Sequence, residues 1–203
     1  MTFLFQGLTM GLAYVAPIGL QNLFVINSAL GQPKHRALLT AFIVIFFDIA
    51  LSLSCFFGIG ALMQRYAWLQ AVILLVGSLI VLFIGFGLLR THPTTQAPQA
   101  VVTALGKTIV TAFVVTWCNP QAIIDGTMLL GAFHVSMPAS SATPFITGVA
   151  LASVIWFAGI TLLISRFKTV FNAKLLRGIN LVCGGIIILY GAKLLWTFIQ
   201  LVH

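Results

Sequence analysis

Six stretches of this chain are apolar for long enough to cross a lipid bilayer, at roughly residues 3–29, 38–63, 68–89, 106–132, 144–165 and 178–201. Each supplies the ~20 residues that a hydrocarbon core of about 30 Å demands. With 61% of its side chains hydrophobic and 6% charged, the chain could not hide its apolar surface in water. In lipid a helix satisfies its backbone polar groups internally. The expected fold is therefore an all-α integral membrane protein, one transmembrane domain over residues 1–203. Met1-Thr2-Phe3-Leu4-Phe5 has no basic lead segment and the first run continues to about Leu30, so that run is expected to stay as a span rather than leave as a signal peptide.

The connections carry the orientation. Lys34, Arg36, Arg90, Lys107, Arg166, Lys168, Lys174 and Arg177 fall in the first, third and fifth connections, leaving Arg65 in the second and Lys193 near the end of the last span. Basic loops stay in the cytoplasm, which puts both termini outside when six spans are counted. A re-entrant first run would instead give five crossings and an inside N-terminus with the same loop charges. The net charge of +8 is thus a topology signal and not a nucleic-acid surface, because the cations lie between apolar runs rather than along one helix face.

Three spans in each half means that a second copy of the unit is inverted relative to the first, with pseudo-repeats at about 1–90 and 106–203. The matching elements are two prolines near mid-span. Pro17-Ile18-Gly19-Leu20-Gln21-Asn22 and Pro120-Gln121-Ala122-Ile123-Ile124-Asp125 each place a polar side chain five residues after the proline. Elsewhere the halves diverge, and Leu151 stands where span five would match Asp48.

A proline inside a helix gives no N–H and displaces the carbonyl four residues before it, here Ala13 for Pro17 and Thr116 for Pro120. Such carbonyls accept from a cation, while the N–H groups opening the next half-helix favour an anion. Two broken helices meeting at mid-membrane therefore suit a zwitterion. Asp48 and Asp125 are the only acids in the chain, and a carboxylate at bilayer depth costs about 2.5–3.5 kcal/mol. Each is either a functional group or a helix-to-helix hydrogen-bonding partner. Gln21, Asn22, Asn119 and Gln121 carry the same pair of readings. The candidate solute site is thus Asp125, Asp48, Asn119, Pro120, Gln121, Pro17, Gln21 and Asn22.

Other chemistry finds no foothold. Cys55, Cys118 and Cys183 lie far apart in apolar runs, so neither a zinc spacing nor a redox pair is present. No HExxH, GxSxG or His–Asp cluster marks an enzyme. No metal, cofactor or nucleic-acid partner is expected, and a channel would need rings of polar residues along a pore. The expected partners are a small solute, protons and lipid, with a homo-oligomer left open.

At these residues the chain resembles the LysE family of bacterial amino-acid exporters, and its lysine and arginine branch (LysE and ArgO) more closely than its homoserine and threonine branch. The likeness covers essentially the whole chain. It rests on Pro17 to Asn22, where the family has Pro-x-Gly-Pro-Gln-Asn, on Phe24-Val25-Ile26-Asn27, on Asp48, and on Thr116-Trp117-Cys118-Asn119-Pro120 with Asp125, where the family has Asn-Pro-His-x-Tyr-x-Asp. The resemblance implies a small inner-membrane protein that exports basic amino acids, driven by the proton or potential gradient. Leu20 replaces the family's second proline, Gln121 its histidine and Ile123 its tyrosine, so the expected pocket is less polar and admits another zwitterionic or neutral amino-acid-like solute as the alternative.

Overall fold

The computed structural model describes residues 2–17, 19–58, 66–90, 104–131, 133–134, 137–167 and 173–202. Arg65, His92, Lys168 and most of the third connection lie outside them, as does the side chain of Gln121. Among the described residues the structure is all-helical: α1 (Thr2–Val15), α2 (Leu20–Gly31), α3 (Lys34–Phe57), α4 (Ala67–Arg90), α5 (Leu105–Trp117), α6 (Pro120–Gly126), α7 (Ala139–Arg166) and α8 (Ala173–Val202). A π-helical turn, Thr127–Gly131, extends α6. By length and composition α3 and α7 can each cross a membrane, and α1 with α2 adds a third crossing if the pair, bent by 79°, is one span.

Both prolines interrupt their helices where the sequence places them. The first run stops at Val15 and restarts at Leu20; the fourth stops at Trp117 and restarts with Pro120 in its first turn, where a missing N–H costs nothing. Pro144, expected at the start of a span, lies inside α7, which begins five residues earlier at Ala139. α3 ends at Gly58, whose φ of 131° is one that a side chain would strain.

Each broken pair lies along one long helix, the first on α7 and the second on α3. Gly7 and Gly11 of α1 meet Phe145, Val149 and Ala152 of α7, and Gly148 meets Leu4 and Leu8 so closely that a Cβ there would overlap the backbone of α1. Farther on, Trp156 of α7 reaches Asn22 of α2, and Ala29 clusters with Ile164. α1 and α2 therefore advance along α7 in one direction despite the bend. The second pair advances along α3 likewise: Phe113 of α5 packs edge-on against Phe47, Ile123 of α6 clusters with Leu51 and Cys55, and Leu130 of the π-helical turn clusters with Phe56.

α3 and α7 themselves run antiparallel through the centre, with Phe56 stacked on Phe145 at 5.7 Å and Asp48 bonded to Ser153 midway. α4 and α8 form a second antiparallel pair, joined where Gly85 and Gly184 let the backbones approach. Large apolar side chains such as Phe46, Phe83 and Leu189 face outward, while buried Ser and Thr such as Thr40, Ser52, Ser78 and Thr161 lie among the Val, Leu and Phe of the interior. That distribution is the one expected when the surrounding solvent is lipid.

Candidate functional site

The two breaks open onto one cavity of about 450 Å³. α1 supplies Ala13 and Tyr14, the first break Pro17 and Gly19, and α2 Leu20, Gln21 and Asn22. Across from them stand Asn119 of the second break, and Ala122 and Asp125 of α6. Val81 of α4 and Ile187 and Leu194 of α8 make an apolar wall, with Met128 and Leu129 of the π-helical turn beside it. The space is thus lined by parts of both halves of the chain. Its volume lies in the range of small-molecule sites.

The structure distributes the eight expected site residues unevenly. Pro17, Gln21, Asn22, Asn119 and Asp125 line the cavity. Pro120 does not; its ring packs against Gly77 of α4, where any side chain would collide with it. Asp48 is fully buried behind Gln21. Its Oδ1 accepts a hydrogen bond from Gln21 Nε2 at 3.0 Å, and its Oδ2 accepts one from Ser153 Oγ at 2.6 Å. Gln21 Nε2 also donates to Thr116 Oγ1 at 3.1 Å, so one cavity-lining amide joins α2, α3 and α5.

Asn22 has little left to offer a solute. Its Nδ2 donates to the carbonyls of Val15 and Pro17 at 2.9 and 2.8 Å, and its Oδ1 accepts from Trp156 Nε1 at 2.7 Å. An amide has two donors, and both are spent on backbone exposed by the break. The residue secures the interruption and fixes it to α7. The remaining feature of that break is the start of α2, where Gly19 provides no side-chain cap and Leu20 and Gln21 border the cavity. Backbone N–H groups at such an end favour an anion.

Three residues that the sequence reading did not single out belong to this constellation. Tyr14 lines the cavity and donates from its hydroxyl to the Ala122 carbonyl at 3.2 Å, linking α1 to α6 across both breaks. Trp156 and Ser153 hold Asn22 and Asp48 from α7. The available signal was a mid-span hydroxyl or indole N–H, which needs a partner when buried in lipid. Which partner it takes depends on helices distant in sequence. Among the described residues no group of three His, Cys, Asp or Glu side chains could hold a metal ion.

The comparisons with known proteins identify the family. The profile of LysE type translocators matches residues 12–197. The chain is 34% identical to an arginine exporter protein ArgO of Klebsiella pneumoniae (strain 342) over 193 residues, 91% of this chain and 89% of the relative. It is 33% identical to that of Escherichia coli (strain K12) over 191 residues, covering 90% and 88% of the two chains. The Enterobacter sp. (strain 638) protein of the same name is 32% identical over 192 residues. No solved structure gives a significant match.

Proposed function

Since the chain belongs to the LysE type translocators, we propose that it is a secondary exporter of amino acids in the bacterial inner membrane, with arginine and lysine as its leading substrates and a proton as the counter-ion. The observation that carries the proposal is the single cavity onto which both helix breaks and Asp125 open. The uncapped start of α2 receives the substrate carboxylate, and Asp125 faces its cationic group. The apolar wall of Val81, Ile187 and Leu194 takes the aliphatic part of the side chain. Export of a monocation against a negative-inside potential costs about 2.3 kcal/mol per 100 mV, and a proton moving inward in the same cycle cancels that charge.

The transmembrane reading is six spans in two inverted units. It is supported by the reciprocal packing of α1–α2 on α7 and α5–α6 on α3, which a two-fold axis in the membrane plane would exchange. In this arrangement the first run is a broken span rather than a re-entrant loop. Gly7 is level with Phe145 near the start of α7, while Ala29 clusters with Ile164 near its end. The odd-numbered connections then lie in the cytoplasm and both termini outside. A second reading, export of a neutral amino-acid-like solute, is favoured by the same apolar wall.

Counterflow in proteoliposomes against arginine, lysine, neutral amino acids and their analogues, with and without a pH gradient, tests both readings. Exchange of arginine or lysine that rises with the gradient is expected. Exchange confined to neutral solutes selects the second reading, and no exchange with any amino acid removes both.

A further inference from the structure

The two acids of this chain sit in different surroundings. Asp125 lines the cavity, whereas Asp48 is fully buried and reaches it only through Gln21. Both neighbours of Asp48 donate to it, Gln21 Nε2 at 3.0 Å and Ser153 Oγ at 2.6 Å, an arrangement suited to the carboxylate. A carboxylic acid needs one acceptor among its neighbours. Ser153 can become that acceptor. Its hydroxyl already lies 3.4 Å from the Val149 carbonyl one turn earlier in α7, a second place for its hydrogen.

We propose that Ser153 is the positioning residue that allows Asp48 to take up and release the transported proton, leaving Asp125 to the substrate; the inference rests on the proton-coupled export proposed above. A proton arriving from the cavity adds to Asp48 Oδ2. The new O–H donates to Ser153 Oγ, and the serine hydrogen swings from Oδ2 to the Val149 carbonyl. No other bond breaks, and every polar atom of the pair remains partnered in both states, which matters where no water can compensate. Gln21 reports the change: its charge-assisted bond to Asp48 becomes an ordinary one, and its side chain is part of the cavity wall.

The surroundings permit this division. The titratable groups that feel the charge of Asp48 are Cys55 of its own helix and Tyr14 of α1, and Asp125 of α6 acts on the same tyrosine. From α2 and α7 the groups that touch the carboxylate are the amide of Gln21 and the hydroxyl of Ser153, and from α5 Thr116 touches Gln21. None of these three titrates in the physiological range. Within that buried setting, the hydrogen bonds to Asp48 are what a single hydroxyl can adjust.

The test uses the full chain in proteoliposomes and reads the ratio of arginine uptake driven by an imposed pH gradient to arginine counterflow at equal pH. Ser153→Ala is expected to lower that ratio about tenfold, the equivalent of one hydrogen bond to a charged group. Ser165→Ala, on the same helix and with a hydroxyl that has no partner, is expected to leave it at the wild-type value. Infrared difference spectra between acid and alkaline pH provide a second reading that mere packing would not alter. The component of the protonated-acid carbonyl band that Asp48→Asn removes, as distinct from that of Asp125, should move to higher frequency in Ser153→Ala, where the acid has lost its acceptor.

An unchanged ratio with an unshifted band in Ser153→Ala overturns the proposal, as does a difference spectrum that Asp48→Asn leaves unaltered. If Ser153→Ala does not assemble, Ser153→Cys replaces it: a thiol of similar size and weak hydrogen bonding should reduce the ratio and shift the band in the same sense. Absence of any amino-acid exchange by the wild-type protein would refute the proposed function instead, while the infrared band would still judge Ser153.

Discussion

At the break between α1 and α2, one side chain completes the structure: Asn22 takes the carbonyls of Val15 and Pro17 and is held in turn by Trp156. The break between α5 and α6 is built differently. Asn119 makes no side-chain capping bond, Pro120 leans on Gly77, and the seven-residue helix that follows relaxes into a π-helical turn beside Asp125. Both breaks obey the rule that irregular backbone within a membrane must be buried or border a cavity. The first spends its polar group on its own backbone, and the second turns its polar group toward the cavity. The comparison suggests a division between a fixed wall and a working one, and that division can be tested residue by residue.

The largest effect is expected at the working wall. Asp125→Asn should lower uptake of a cationic amino acid at subsaturating concentration about 100-fold, close to 2.7 kcal/mol. Because a carboxylate at bilayer depth is costly, the same variant should be at least as resistant to thermal unfolding in detergent as the wild type. Normal uptake would erase the distinction between the breaks. Next comes Asn22→Ala, which removes three hydrogen bonds at once. At about 0.6–1 kcal/mol each in a membrane protein, it should lose about 2 kcal/mol of stability, measured by unfolding in mixed micelles.

Trp156→Phe removes only the bond that ties Asn22 to α7, and about 1 kcal/mol is expected in the same assay. Tyr14→Phe, which breaks the link from α1 to the Ala122 carbonyl, should cost about 0.6 kcal/mol. Asn119→Ala should be nearly silent, under about 0.5 kcal/mol, since no capping bond is lost. An Asn119 effect equal to that of Asn22 would show that the second break is also secured by its own asparagine, and the contrast would disappear.

Much of this was legible in the chain itself. Composition gave the solvent, hydropathy the runs, and the prolines the two interruptions, because loss of an N–H and a clash one turn back act locally. The rarity of acids singled out Asp48 and Asp125. What the residues left open was which of the paired readings each polar group takes. Asn22 and Asp125 both follow a proline by five residues, yet one is saturated by backbone and indole while the other borders the cavity. Asp48 and Gln21 looked like separate candidates and are joined by a hydrogen bond.

The sequence by itself determined that this chain is helical, lipid-facing and broken at Pro17 and Pro120, since each follows from side-chain transfer energies or from backbone sterics within a single turn. Only the tertiary structure decided that the two interruptions share one cavity and that Asp48 lies behind it under Ser153. Those relations join residues about a hundred positions apart. They are fixed by the close approach of helices at Gly7, Gly77 and Gly148, for which no local pattern specifies the partner.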